Sequence, residues 1–144
     1  MLRAGSLQIS GEAGTIAVEV ELADTPENRG QGLMCRAEVP AGTGMVFLWS
    51  EPISAGFWMF NTYVPLDILY VGPDAHVVAA RTMAPCPRAA PEQHAEWTAR
   101  CAAESSAYAA GTDYRMAVEL PAGWLESQGF AMAASLDWRV ALRD

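Results

Sequence analysis

The segment Thr15-Ile16-Ala17-Val18-Glu19-Val20-Glu21-Leu22 sets the fold class. Ile16, Val18, Val20 and Leu22 alternate with Thr15, Ala17, Glu19 and Glu21. Successive side chains of a strand point to opposite faces, so this spacing puts an apolar row on one face and carboxylates in water. Leu7–Ser10 reads as a short partner strand, with Gly11–Gly14 as the hairpin connection. Further short strands are expected at Met45–Trp49, Gly56–Phe60, Leu66–Val71, His76–Met83, Tyr114–Leu120 and Leu136–Leu142. Short strands with closely spaced turn signals, such as Gly72-Pro73-Asp74-Ala75, predict a mainly β sandwich or barrel of roughly eight strands.

One or two short helices complete this picture. Asp24 or Thr25 can cap a helix with Pro26 at its first position, and Gly30 and Gly32 keep it short. Pro121–Gln128 suits a turn or two ended by Gly129. Between Met83 and Tyr114 the alternation fails. Prolines and alanines there predict a long loop over about residues 84–113, with at most a helical turn or two near Glu92–Ala103. No repeat or linker divides the chain, so residues 1–144 read as one domain with that loop as an insertion.

Composition excludes several function classes. The chain has 144 residues, 51% hydrophobic and 18% charged, which is the reverse of a disordered composition. The net charge is −8, and all 9 basic residues are arginine. Such a chain is repelled by phosphate backbones, so nucleic acid and anionic membrane surfaces are not expected as partners. No apolar run approaches the roughly 18 residues of a membrane span. The segment Met1–Gly14 lacks the apolar core of a signal peptide, although a trimmed secreted chain would read the same way.

There are three cysteines. A Cys86–Cys101 bridge would close a loop of about 15 residues and contribute about 3 kcal/mol. Spacing alone leaves two independent thiols open as well; the poorly cored loop favours the bridge, and with it an exported or oxidising compartment. Cys35 follows Leu33-Met34 and precedes Arg36. It is expected to be a small buried side chain, with activation by Arg36 as the alternative.

Two motifs go beyond patterning. One is Gly32-Leu33-Met34-Cys35-Arg36 followed by Gly44-Met45-Val46-Phe47. The other is Phe57-Trp58-Met59-Phe60-Asn61-Thr62-Tyr63-Val64-Pro65-Leu66-Asp67-Ile68. With Met83–Cys86 and Ala117–Trp124, they closely resemble the domain-of-unknown-function 192 family over about Val18–Val140. The resemblance implies a compact, mostly β, jelly-roll-like or barrel-like domain of prokaryotic type, often exported, with no established activity. The chain departs from the family pattern at Cys35, in the long Cys86–Cys101 loop, and at Ala134-Ser135.

The polar residues of these motifs supply the candidate site. Asp67 interrupts an apolar strand, and Arg36 interrupts an apolar segment. A buried carboxylate needs a cation or several donors, so the two are expected to pair, with Asn61 close by. In the functional reading Arg36, Trp58, Asn61, Asp67 and Met34 line a cleft for a small molecule or glycan. In the structural reading the pair only pins a loop to the sheet. A third reading has a small hydrolase or transferase using Asp67 and Arg36. Motifs for a catalytic serine, zinc, a paired-cysteine redox centre or a phosphate loop are absent. Nothing ties Cys35 to His76 or His94 as a nucleophile. Met34, Met45, Met59, Met83 and Cys35 are soft enough for Cu(I), but core methionines are commoner, so no metal and no cofactor is expected. Trp97 and Tyr108 in the long loop suit either partner contact or packing onto the barrel. The reading overall is a non-catalytic binding or accessory module.

Overall fold

A computed structural model describes residues 2–143. Its strands are β1 (Arg3–Gly11), β2 (Gly14–Ala23), β3 (Thr43–Ile53), β4 (Leu66–Val71), β5 (Val77–Met83), β6 (Tyr114–Pro121) and β7 (Arg139–Arg143). They form one mainly β sheet in the order β5-β4-β6-β3-β2-β1-β7. All pairings are antiparallel except β2–β3, whose parallel register sets Leu22 beside Val46. The sheet curls into a half-barrel. Its two ends approach through a bridge between His76 and Arg139, where the Val77 amide donates to the Trp138 carbonyl at 3.1 Å.

Curling gives the sheet two covered faces. Val18, Val20 and Leu22, the row predicted from the alternation, are buried with residues of every other strand on the concave side. Met45, Phe47, Ile68, Tyr70, Ala117 and Tyr114 face the other way, into a second core. A half-barrel with both faces packed needs a cover on the outside. The segment expected to be a loop supplies it: α2 (His94–Ser105) and a 3₁₀ turn at Ser106–Tyr108 pack there. Gln93 and Glu96 form a capping box that starts α2. The two aromatics of this segment face inward. Trp97 Nε1 donates to the Cys86 carbonyl at 2.9 Å, and Tyr108 accepts at its carbonyl from the Tyr70 hydroxyl at 2.6 Å.

Two other expectations need correction. Gly56–Phe60 is not a strand; only Phe60 makes a bridge, to Cys86. The sheet therefore has seven strands among the described residues, not eight. The run fails as a strand because it leaves the sheet to carry its aromatic rings across the outer core. The last strand also starts later, since residues Met132–Asp137 form a 3₁₀ helix before β7.

Two short helices sit where capping chemistry puts them. Thr25 Oγ1 accepts from the Asn28 amide at 3.1 Å and starts α1 (Pro26–Gln31). The third helix, α3 (Trp124–Ser127), follows Gly123, whose φ of 86° is in the left-handed region.

Candidate ligand-binding site

Glu119 is the one carboxyl placed on the packed outer face of β6. The register sets it between Met45 of β3 and Ile68 of β4. It is 4% exposed. A Cβ at Gly44 would strike the Glu119 carbonyl oxygen, so only glycine lets β3 approach β6 this closely. The Glu119 side chain makes no hydrogen bond or ion pair among the described residues, and no buried side-chain oxygen there is left unsatisfied, so its carboxyl oxygens are not sealed in the core but reach open space. Burial alone pushes its carboxyl up to about 8, because a lone buried carboxylate is poorly solvated.

A cavity of about 260 Å³ opens beside this carboxyl. Its walls are largely aromatic: Phe47, Trp49, Phe57, Trp58 and Tyr114. The rings are locked edge to face, Phe57 lying 4.9 Å from Phe47 and 6.0 Å from Trp49, and Trp49 lying 5.5 Å from Tyr114. The Tyr114 hydroxyl donates to the Ala55 carbonyl, and burial pushes it up to about 12. Trp58 forms the lip. It is 39% exposed and stacks on Phe60 at 4.7 Å, which packs on Trp97 at 4.1 Å. The helix α1 contributes Arg29, whose Nη1 donates to the Leu48 carbonyl at 2.9 Å and whose guanidinium lies 5.5 Å from the Trp49 ring centroid.

The wall carrying Trp58 is tied to the disulfide. Cys86 and Cys101 are bonded, with Cα atoms 5.9 Å apart. The Asn61 amide donates to the Cys86 carbonyl, and the Cys86 amide donates to the Thr62 carbonyl, both at 3.1 Å. Arg100 grips the Glu92 carboxylate with two nitrogens, at 2.8 and 3.0 Å, and reaches the Pro87 carbonyl. These contacts, chiefly the Arg100 hydrogen bonds, hold Glu92 down at about 2.

Trp58 and Met34, two of the five expected site residues, line this cavity. The expected pairing of Arg36 with Asp67 does not form. Arg36 instead meets Glu21 through both terminal nitrogens at 2.7 Å. That hydrogen bonding holds the Glu21 carboxyl below its usual range. The parallel β2–β3 crossover brings the chain after α1 back over β2, where Glu21 is nearer than anything on β4. Asp67 is 1% exposed, and each of its oxygens accepts a bond: Thr82 Oγ1 at 2.7 Å and the Gly123 amide at 3.1 Å. It anchors the start of α3 to the sheet.

Asn61 lies beside the lip, with φ 55°. Its side chain donates to the Cys35 sulfur at 2.9 Å and accepts from the Tyr63 hydroxyl at 2.9 Å. Cys35 is exposed rather than buried. Its φ of 66° turns the backbone so that its amide bonds the Asn61 carbonyl at 3.0 Å, and the thiol faces outward. Met45, Met59 and Met83 are buried in the apolar core.

Glu119 was missed by sequence reading, although it lies in the quoted Ala117–Trp124 motif. On β6 it alternates with Met116, Val118 and Leu120, so it reads as the polar, water-facing row. Only the cover over the outer face makes it a buried group.

Comparison places this architecture among known structures. A Sinorhizobium meliloti 1021 protein described as a "putative transcription regulator" shares 25% identity at a TM-score of 0.72, over 97% of this chain and 94% of that one. A Novosphingobium aromaticivorans DSM 12444 protein of unknown function shares 27% identity at a TM-score of 0.75, over 97% and 86%. No curated protein matches the chain. The family model DUF192, described as uncharacterized ACR, matches residues 7–138. The chain therefore belongs to the DUF192 family.

Proposed function

We propose that this protein is a non-catalytic small-molecule-binding domain whose site is the aromatic cleft floored by Glu119. The observation that carries this reading is the unpartnered, buried Glu119 carboxyl opening onto a cavity with aromatic walls. A few polar groups converging in an apolar, preformed cleft is the usual construction of a ligand site. Catalysis has less support. The cavity lining offers a single carboxylate and no histidine or cysteine. The Thr62 hydroxyl is committed to the Phe60 carbonyl. Asp67, on which a hydrolase or transferase reading rests, has both oxygens bonded within the protein. A regulator that acts by gripping DNA has less support here, because the net charge is −8 with no lysine. The Cys86–Cys101 bridge supports an oxidising compartment.

The test is a melting-temperature screen against free sugars, small acids, amines and amino acids, run on the native protein and on Glu119→Leu. A binder of the native fold raises the melting temperature. The reading expects at least one compound that stabilises the native protein and leaves Glu119→Leu unmoved. Compounds that shift both proteins equally, or no shift from any compound, would overturn it.

A further inference from the structure

The cavity holds two groups of opposite chemistry, and among the described residues neither is in an ion pair. The Glu119 side chain has no hydrogen-bond partner among the described residues, and its oxygens reach the cavity rather than lying sealed and unsatisfied. Arg29 uses one nitrogen on the Leu48 carbonyl and, among the described residues, meets no carboxylate. The two line the same cavity yet form no ion pair with each other. Two other half-buried arginines are paired, Arg36 with Glu21 and Arg100 with Glu92, while Arg81, away from this cavity, donates only to the Ala80 carbonyl. An acid and a base left apart in one cleft leave room for a molecule that satisfies both.

We propose that the cleft binds a small amino-acid-like zwitterion, its ammonium group meeting the Glu119 carboxylate and its acid group meeting the Arg29 guanidinium. This rests on the small-molecule reading given above and narrows it to one ligand class. The alternatives each leave something unsatisfied. A simple anion is held by Arg29 and can take at most the single O–H of protonated Glu119. A simple amine brings a cation beside Arg29 with nothing to offset it. A neutral sugar offers Arg29 no counter-charge. Arginine and a carboxylate match in geometry, with two parallel hydrogen bonds available. Rings such as Phe57 and Tyr114 favour an ammonium over their faces, and Trp49 already holds the Arg29 cation in this way. Size agrees. About 260 Å³ lies just below the span of roughly 300–1,000 Å³ typical of sites for drug-sized ligands, so the ligand is small. Phe47, Leu33 and Phe57 give an apolar side chain somewhere to pack.

Binding has a proton signature. The free Glu119 carboxyl is protonated at neutral pH. When an ammonium group arrives, the carboxyl releases its proton to solvent and the N–H donors take its place. The other groups on this face are Tyr114, Tyr70, Arg29, His94 of α2, whose ring meets Phe60 at 5.9 Å, and, two strands away, Arg81. Both tyrosines are pushed above their ordinary range, chiefly by burial, and an arginine keeps its charge. Glu119 is the one carboxyl that lines the cavity, so the proton released on binding is assigned to it.

The experiment is calorimetry with each common free amino acid, then with the best binder's decarboxylated amine and deaminated acid. Titrations use two buffers of different ionisation enthalpy. The proposal expects the amino acid to bind at least about tenfold more tightly than either truncated analogue. A proton should be released on binding near pH 6. Arg29→Met should erase the preference over the amine. Glu119→Gln should erase the preference over the acid, together with the proton release. An analogue that binds as tightly as the amino acid would overturn the proposal. So would a sugar or simple acid that binds through Glu119 while no amino acid does, and in that case the small-molecule reading stands. Silence from every compound in both panels would remove both.

Discussion

Glu119 and Arg29 line one cavity without pairing, and the Glu119 side chain bonds no other described residue. This relationship has a consequence for stability. Glu119 has a folded value of about 8 against an ordinary 4.5. Between these values the folded state holds a proton that the unfolded state has lost. Its contribution is therefore complete below about pH 4.5, declines as pH rises, and levels off above about pH 8. Each unit of separation is worth about 1.4 kcal/mol, so the decline amounts to several kcal/mol. Glu21 and Glu92 are lowered instead, so their contribution is lost only at more acid pH. Denaturant unfolding from pH 5 to pH 8 should show the decline in the native protein and none in Glu119→Gln. Equal slopes in the two proteins would contradict this.

Asp67 is a structural residue. Asp67→Ala removes the acceptor for the Gly123 amide and the Thr82 hydroxyl. Thr82 and Gly123 are exposed, so water can replace the lost acceptor, and each bond lost costs about 1 kcal/mol. No cation is stranded, because Arg36 keeps Glu21. Urea unfolding should report that loss, with ligand affinity unchanged for the fraction that is folded. A loss of binding at full stability would return Asp67 to the site.

The disulfide shapes the cleft as well as the cover. Removing it with Cys101→Ala should cost about 3 kcal/mol for a closed loop of this length. The Cys86 backbone also holds Asn61 and Thr62, so amides from Phe57 to Thr62 should exchange faster. A variant that loses stability while those amides stay protected would show that the wall is fixed without the bridge.

Cys35 should react. Its thiol is exposed, with hydrogen bonding from Asn61 and interaction with the neighbouring Tyr63 hydroxyl. A neutral thiol reagent should label it in the native protein at a rate close to that in denaturant. Strong native-state protection would contradict the outward orientation.

The fold was largely legible because period two is a local property. The runs Thr15–Leu22, Leu66–Val71 and Tyr114–Leu120 all form strands at nearly the expected bounds. The alanine-rich stretch around α2 lacks an apolar stripe, and its helix depends on the capping box and on packing against the outer core. The site was less legible, since it depends on what covers a face. Alternation says that Glu119 lies opposite Val118 and Leu120, but only the tertiary cover decides whether that side meets water. Arg36 and Asp67 looked like partners because each stood alone in its segment. Their partners, Glu21 and the pair Thr82 and Gly123, lie far away in sequence and look unremarkable there. Trp58 and Met34, expected as the walls of a pocket around Arg36, Asn61 and Asp67, line a cavity whose floor is Glu119 instead.

The most direct test of the account is a carbon-13 NMR titration of the Glu119 side-chain carboxyl, assigned by comparison with Glu119→Gln. The account predicts a midpoint near 8 in the ligand-free protein. A midpoint in the ordinary glutamate range, about 4.3, would mean that the carboxyl is solvated or paired, and would contradict the cleft as described.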